Sequence, residues 1–153
     1  MNAKYVNIFL ETCTDIVKRM TGIELTKDKV FTKTSTIETN NVVTFIGITG
    51  EVRGTVVFGL TLGNSYKLAS AIMGGMEITE LNELSTSALQ EMSNIIMGNV
   101  ASAFSKMGIM VDITPPTLLK GNDISIFQGS KPIVCVMFKM DIGGEFEVDI
   151  RIE

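Results

Sequence analysis

The sequence contains no histidine. That excludes Ser-His-Asp and Cys-His nucleophilic machinery, and with it the imidazole ligands of most catalytic zinc sites. Cysteine is scarce as well. Cys13 and Cys135 are the only two, too few for a structural zinc site, and their apolar surroundings predict buried, reduced thiols. Basic clusters are missing: of 13 Lys and Arg only Lys18 and Arg19 are adjacent, and the net charge is −4. A nucleic-acid partner is therefore not expected, because phosphate binding needs clustered cations. No apolar run approaches the ~20 residues of a membrane span. The first twenty residues are interrupted by Asn7, Glu11 and Asp15 and do not resemble a secretory signal, so a cytoplasmic protein without membrane insertion is expected. Gly74-Gly75 and Gly143-Gly144 belong to no G-x-G-x-x-G or P-loop pattern. Chemistry is left to carboxylates, amides, hydroxyls, lysines or groups that a partner supplies.

What is present suits a folded domain. The 153 residues are 45% hydrophobic and 20% charged, which predicts one globular domain over 1–153 with a sizeable core. Val6, Phe9, Leu10, Cys13, Ile16, Val17 and Met20 recur at spacings of three and four, so 4–20 reads as an amphipathic helix ended by Thr21-Gly22. Residues 29–38 are rich in Thr and β-branched side chains and predict a strand, with a turn at Asn40-Asn41. The runs 42–48 and 54–60 predict an antiparallel hairpin with Gly50 and Gly54 near its bend. A short helix capped by Asn64 or Ser65 follows and stops at Gly74-Gly75. Pro115-Pro116 breaks the chain after a long helix, and 123–127 reads as a short strand. The last two strands, 132–140 and 145–153, turn at Gly143-Gly144. The fold class is α/β (α+β): two long helices on an antiparallel or mixed sheet. The two hairpins echo each other, as a duplicated αβ unit would produce.

Residues 83–107 depart from the usual composition of a helix. Leu89, Met92, Ile96, Val100, Ala103, Phe104 and Met107 gather on one side and predict the core face. The opposite side carries Ser87, Glu91, Asn94, Gly98, Ser102 and Ser105. An ordinary solvated face uses Lys, Glu, Gln and Arg, whereas Asn, Ser and Gly each weaken a helix. Local preference set aside without evident compensation is one mark of function, and small residues admit a second surface. Ser87, Glu91 and Asn94 stand at i, i+4 and i+7, on one line of the helix. A carboxylate and a carboxamide side by side can engage a cation and hold a water. Packing against another helix of the same domain would use a Ser/Asn-rich face equally well.

The pattern Ser87-x3-Glu91-x2-Asn94, followed by Pro115-Pro116, resembles the signature of the CheC, CheX and FliY chemotaxis phosphatases. In that signature an Asp or Ser is followed by Glu, Asn and a downstream Pro; Pro116 falls one residue short of the family's gap and Thr117 stands in the expected place. A single copy of the motif is similar to the one-site CheX branch. The resemblance implies a CheC-like fold and a homodimer paired through its sheets. It implies hydrolysis of the aspartyl phosphate of a CheY-type receiver domain, with Asn94 orienting the water and Glu91 docking on the receiver's lysine. Ser87 and Gly98 would contact the partner. No cofactor of its own is implied, since magnesium would belong to the receiver. The alternative is a non-catalytic receiver-binding or flagellar-switch-like interaction module.

Overall fold

The computed structural model describes residues 2–34, 36–38, 41–122, 124–127, 129 and 131–153. The first helix, α1 (Ala3–Thr21), is closed at both ends by side-chain and backbone chemistry. The Asn2 side chain accepts from the Lys4 amide, and Gly22 takes φ 76° so that its N–H can reach the Lys18 carbonyl at 2.8 Å. Strand β1 (Leu25–Lys33) follows, then the short β2 (Thr36–Glu38) and the hairpin β3 (Val42–Gly50) and β4 (Gly54–Leu60). Helix α2 (Leu62–Ile72) leads to α3 (Glu83–Lys106). The chain closes with β5 (Val111–Ile113), β6 (Thr117–Lys120), β7 (Ser125–Phe127), β8 (Ile133–Met140) and β9 (Glu145–Ile152).

Seven strands form one antiparallel sheet in the order β1-β8-β9-β4-β3, with β5 and β6 both paired to the outer side of β3; β2 and β7 form a separate ladder. The order is symmetric about the central β4–β9 pair. Each half of the chain runs helix, edge strand, short strand, hairpin, and each edge strand pairs with the hairpin of the other half: β1 with β8, β5 and β6 with β3. The duplicated unit read from the hairpins is present in the topology, with its edge strands exchanged between halves. The α/β (α+β) class, with helices packed on an antiparallel sheet, agrees with the sequence.

Several boundaries differ. Strand β1 starts at Leu25 rather than 29, across a bulge between Lys27 and Lys29 that the run Lys-Asp-Lys concealed. Helix α2 starts at Leu62 because Thr61, not Asn64 or Ser65, caps it: the Thr61 hydroxyl accepts from the Asn64 amide. Strands β5 and β6 were unread because three- and four-residue pieces around Pro115-Pro116 carry no periodicity. Asn40, Ser35 and Asp123, which the predicted turn and strands include, lie outside the described residues.

The two faces of the sheet have different covers. All three helices lie on one face, over Ile46, Val56, Phe58, Phe138, Phe146, Val148 and Ile150. Phe104 of α3 meets Tyr5 and Phe9 of α1 edge-on, with ring centroids 5.2 and 5.8 Å apart. Val43, Val57, Ile133 and Cys135 form a smaller cluster on the other face, with Phe45, Ile124 and Ile126 against it. Cys13 and Cys135 therefore belong to opposite faces, and both are free, buried thiols. Period-two alternation along β9 sends Glu147 and Asp149 to this second face. Lys33 pairs with Glu147 at 3.3 Å. Asp149 is 1% exposed, and its Oδ1 has no hydrogen-bond partner among the described residues. Burial first, and the Glu147 carboxylate second, push the Asp149 carboxyl up to about 7.

Candidate functional site

Helix α3 is anchored at its start by a reciprocal cap. Asn82 Oδ1 accepts from the Ser85 amide at 3.0 Å and Ser85 Oγ accepts from the Asn82 amide at 2.9 Å. From there Leu89, Met92, Ile96, Val100 and Phe104 face the core as predicted, joined by Ser85, Ser93 and Met97. Met107 is 37% exposed and Ala103 half-buried, so the predicted stripe ends a turn early. The helix stops at Lys106, and Met107 lies in the cap, past the sheet's cover. Ser93 can be buried because its hydroxyl donates to the Leu89 carbonyl one turn back, at 3.0 Å.

The other side of α3 presents Ser87, Glu91 and Asn94 to an open cleft of about 320 Å³, whose remaining lining is Gln90 and Pro116. Ser87 and Glu91 are exposed and Asn94 half-buried. None of the three has a hydrogen-bond or ion-pair partner among the described residues. Neighbouring polar side chains on the same helix behave otherwise: Asn99 Nδ2 donates to the Ile95 carbonyl at 2.8 Å and Thr86 Oγ1 to the Asn82 carbonyl at 2.7 Å. A carboxylate and a carboxamide one turn apart are thus left with their full hydrogen-bonding capacity toward solvent. Packing against a helix of the same domain does not account for this face.

The structure brings Ser87, Glu91 and Asn94 together with Pro116 despite the shortened spacing. Gly98 lies a turn beyond the cleft, and a Cβ added there would meet nothing within 4 Å. Among the described residues no contact requires glycine at this position. Gln90 was missed. Glutamine is an ordinary helix residue, and only the placement of Pro116 beside α3 reveals that its Nε2 donates to the Pro116 carbonyl at 3.2 Å. The symmetry of the sheet makes α1, rather than α2, the counterpart of α3. Its exposed positions include Lys4, Asn7 and Glu11, without a Glu-x2-Asn pair, so among the described helices α3 alone presents such a face.

Residues 42–139 match the family model described as chemotaxis phosphatase CheX. The chain belongs to this family. It is 36% identical, over 126 residues, to the CheY-P phosphatase CheX of Thermotoga maritima, an alignment covering 82% of this chain and 81% of that protein. Among solved structures, a CheC-like superfamily protein from Shewanella superposes with a TM-score of 0.89 at 21% identity, covering 100% of this chain and 99% of the other. The crystal structure of a CheX-CheY-BeF3-Mg+2 complex from Borrelia burgdorferi superposes with 0.84 at 24% identity, covering 97% of each chain. These two likenesses establish the fold. The family match spans β3 through most of β8, and so includes α3 and the whole cleft.

Proposed function

We propose that this chain is a protein phosphatase that hydrolyses the aspartyl phosphate of a CheY-type receiver domain in chemotaxis signalling. The observation that carries the reading is the unpartnered pair Glu91 and Asn94 at the mouth of an open cleft, in a chain without histidine. An acyl phosphate is already an activated bond, and phosphoryl transfer depends mainly on positioning and on charge stabilisation. Asn94 orients a water in line with the phosphorus. The water adds, the bond to the aspartyl oxygen breaks, and inorganic phosphate leaves the receiver carboxylate. Glu91 pairs with the receiver's lysine and holds the helix in place, with Ser87 and Gly98 at the contact. Any magnesium belongs to the receiver, and this chain supplies no cofactor. The relative from Thermotoga maritima is named for action on CheY-P, and the Borrelia burgdorferi complex holds a CheX with a CheY. Among the described residues no helix is long and apolar enough to cross a membrane, which accords with a cytoplasmic setting alongside such a partner.

The test is a mixture of this protein with receiver domains carrying labelled phosphate. Label loss faster than the receiver's own decay, at substoichiometric protein, is the expected result. Tight receiver binding with an unchanged decay rate would refute the enzyme reading and leave an interaction module.

A further inference from the structure

The cleft has two walls of different origin. One is the face of α3. The other is Pro116, in the break between β5 and β6. That break is dictated by the sequence, because prolines at 115 and 116 have no N–H to offer the sheet. Phe45 pairs with Thr117 and Ile48 with Ile113, so Ile46 and Gly47 face the interruption. The near end of the break is held from the sheet side. Thr114 N–H donates to the Gly47 carbonyl at 2.9 Å, and Gly47 N–H donates to Thr114 Oγ1 at 2.8 Å. Gly47 makes this approach possible, since a Cβ there would lie 3.1 Å from Thr114 Cγ2. Beyond Thr114 the prolines cannot donate to β3. From the helix side, among the described residues, one side-chain hydrogen bond reaches the wall: Gln90 Nε2 to the Pro116 carbonyl.

We infer that Gln90 is a positioning residue that fixes Pro116 against α3 and so sets the width of the cleft that receives the receiver's phosphorylated loop. This rests on the phosphatase reading above. Gln90 adjoins Glu91 in sequence, yet its amide is engaged within the chain while Glu91 and Asn94 are free. The division of labour follows from helix geometry, which turns adjacent side chains about 100° apart. A wall held at fixed distance reduces the ordering needed when a partner loop enters. Its loss should weaken capture of the receiver and leave the chemistry at Asn94 intact once the loop is seated.

The experiment compares Gln90→Met, Gln90→Ala and Gln90→Lys in the label-loss assay across receiver concentrations. Met keeps the length and packing but has no donor, and Lys keeps a donor. The expected result is a rise of about fivefold in the half-saturating receiver concentration for Met and Ala, with kcat within twofold of the parent, and near-parental behaviour for Lys. Parental behaviour of Gln90→Met would overturn the inference, and so would a fall in kcat at unchanged half-saturation. A second readout does not depend on the assay: amide hydrogen exchange at Thr117 and Leu118 should accelerate at least threefold in Gln90→Met. If the parent protein leaves the labelled receiver untouched, the phosphatase reading fails. Exchange then decides the tie alone, and unchanged exchange in Gln90→Met refutes it.

Discussion

Asn94 and Asp149 Oδ1 both have no hydrogen-bond partner among the described residues, in opposite settings. Asn94 is half-buried beside an open cleft. Asn94→Ala removes the amide that orients water, so label loss should fall on the order of 10²-fold or more. Thermal unfolding should be unchanged or slightly later, because Ala is the better helix former. Glu91→Ala should raise the half-saturating receiver concentration more than it lowers kcat, since it removes one member of a charge pair across the interface. Lys106→Ala, exposed at the end of α3, is the control. Asp149 lies in the opposite face of the sheet, and its stability effect has a definite sign. Its folded carboxyl titrates near 7 against an ordinary 3.8, so between these values the folded state holds a proton that the unfolded chain has released. Stability from this group is therefore present below about pH 4 and lost as pH rises toward 7, by on the order of 4 kcal/mol. Urea titrations at pH 5 and pH 7.5 should show that decline in the parent protein. In Asp149→Asn it should be largely gone.

At the scale of elements, the long helices and the two hairpins were legible because each carries its own signal. The stripe at 3.6 on α1 and α3 follows from burial on one side, whereas β3, β4, β8 and β9 are covered on both faces and so read as near-continuous apolar or β-branched runs bounded by glycine turns. What the sequence concealed depends on other elements. Leu25 joins β1 only because Met140 pairs with it across a bulge. Strands β5 and β6 exist only as partners of β3. Ser93 reads as polar surface, yet its own helix carbonyl satisfies it in the core. At the site, Ser87 and Asn94 were visible through their poor fit to a solvated helix and Glu91 through its place between them at i, i+4 and i+7, whereas Gln90 conforms to such a face and gave no sign. Gly98 stands between these cases. Nothing among the described residues needs glycine there, so Gly98→Ala should stabilise α3 by about 1 kcal/mol, read as a later thermal midpoint. If the receiver passes close to the helix at that point, the same variant should bind it more weakly by surface plasmon resonance.

The whole molecule ends its sheet in two edges of different character. Strands β5 and β6 carry Pro115-Pro116 between them, and β1 carries a bulge and three lysines, devices that discourage uncontrolled pairing. Past the bulge, however, Val30 and Phe31 are 54% and 40% exposed on opposite sides of β1. This length of edge is where we propose that two copies join. Light scattering at micromolar concentration should give about 33 kDa, twice the 16.6 kDa of one chain. The double variant Val30→Lys, Phe31→Lys should shift it toward the single-chain mass, and a parent protein that scatters only as one chain would end the dimer proposal.

The exchange of edge strands between halves bears on how the chain comes to be folded at all. Strand β9 follows every other strand of the sheet in chain order yet lies at its middle, flanked by β4 from the first half and β8 from the second. Until residues 145–152 leave the ribosome, the β3–β4 hairpin has no neighbour on its inner side and β1 has only an incomplete hairpin to join. The cleft depends on the same late event, since α3 rests on the sheet that β9 completes. A nascent chain stalled before residue 145 should be captured by chaperones and cut readily by protease, although every side chain of the cleft has already been synthesised.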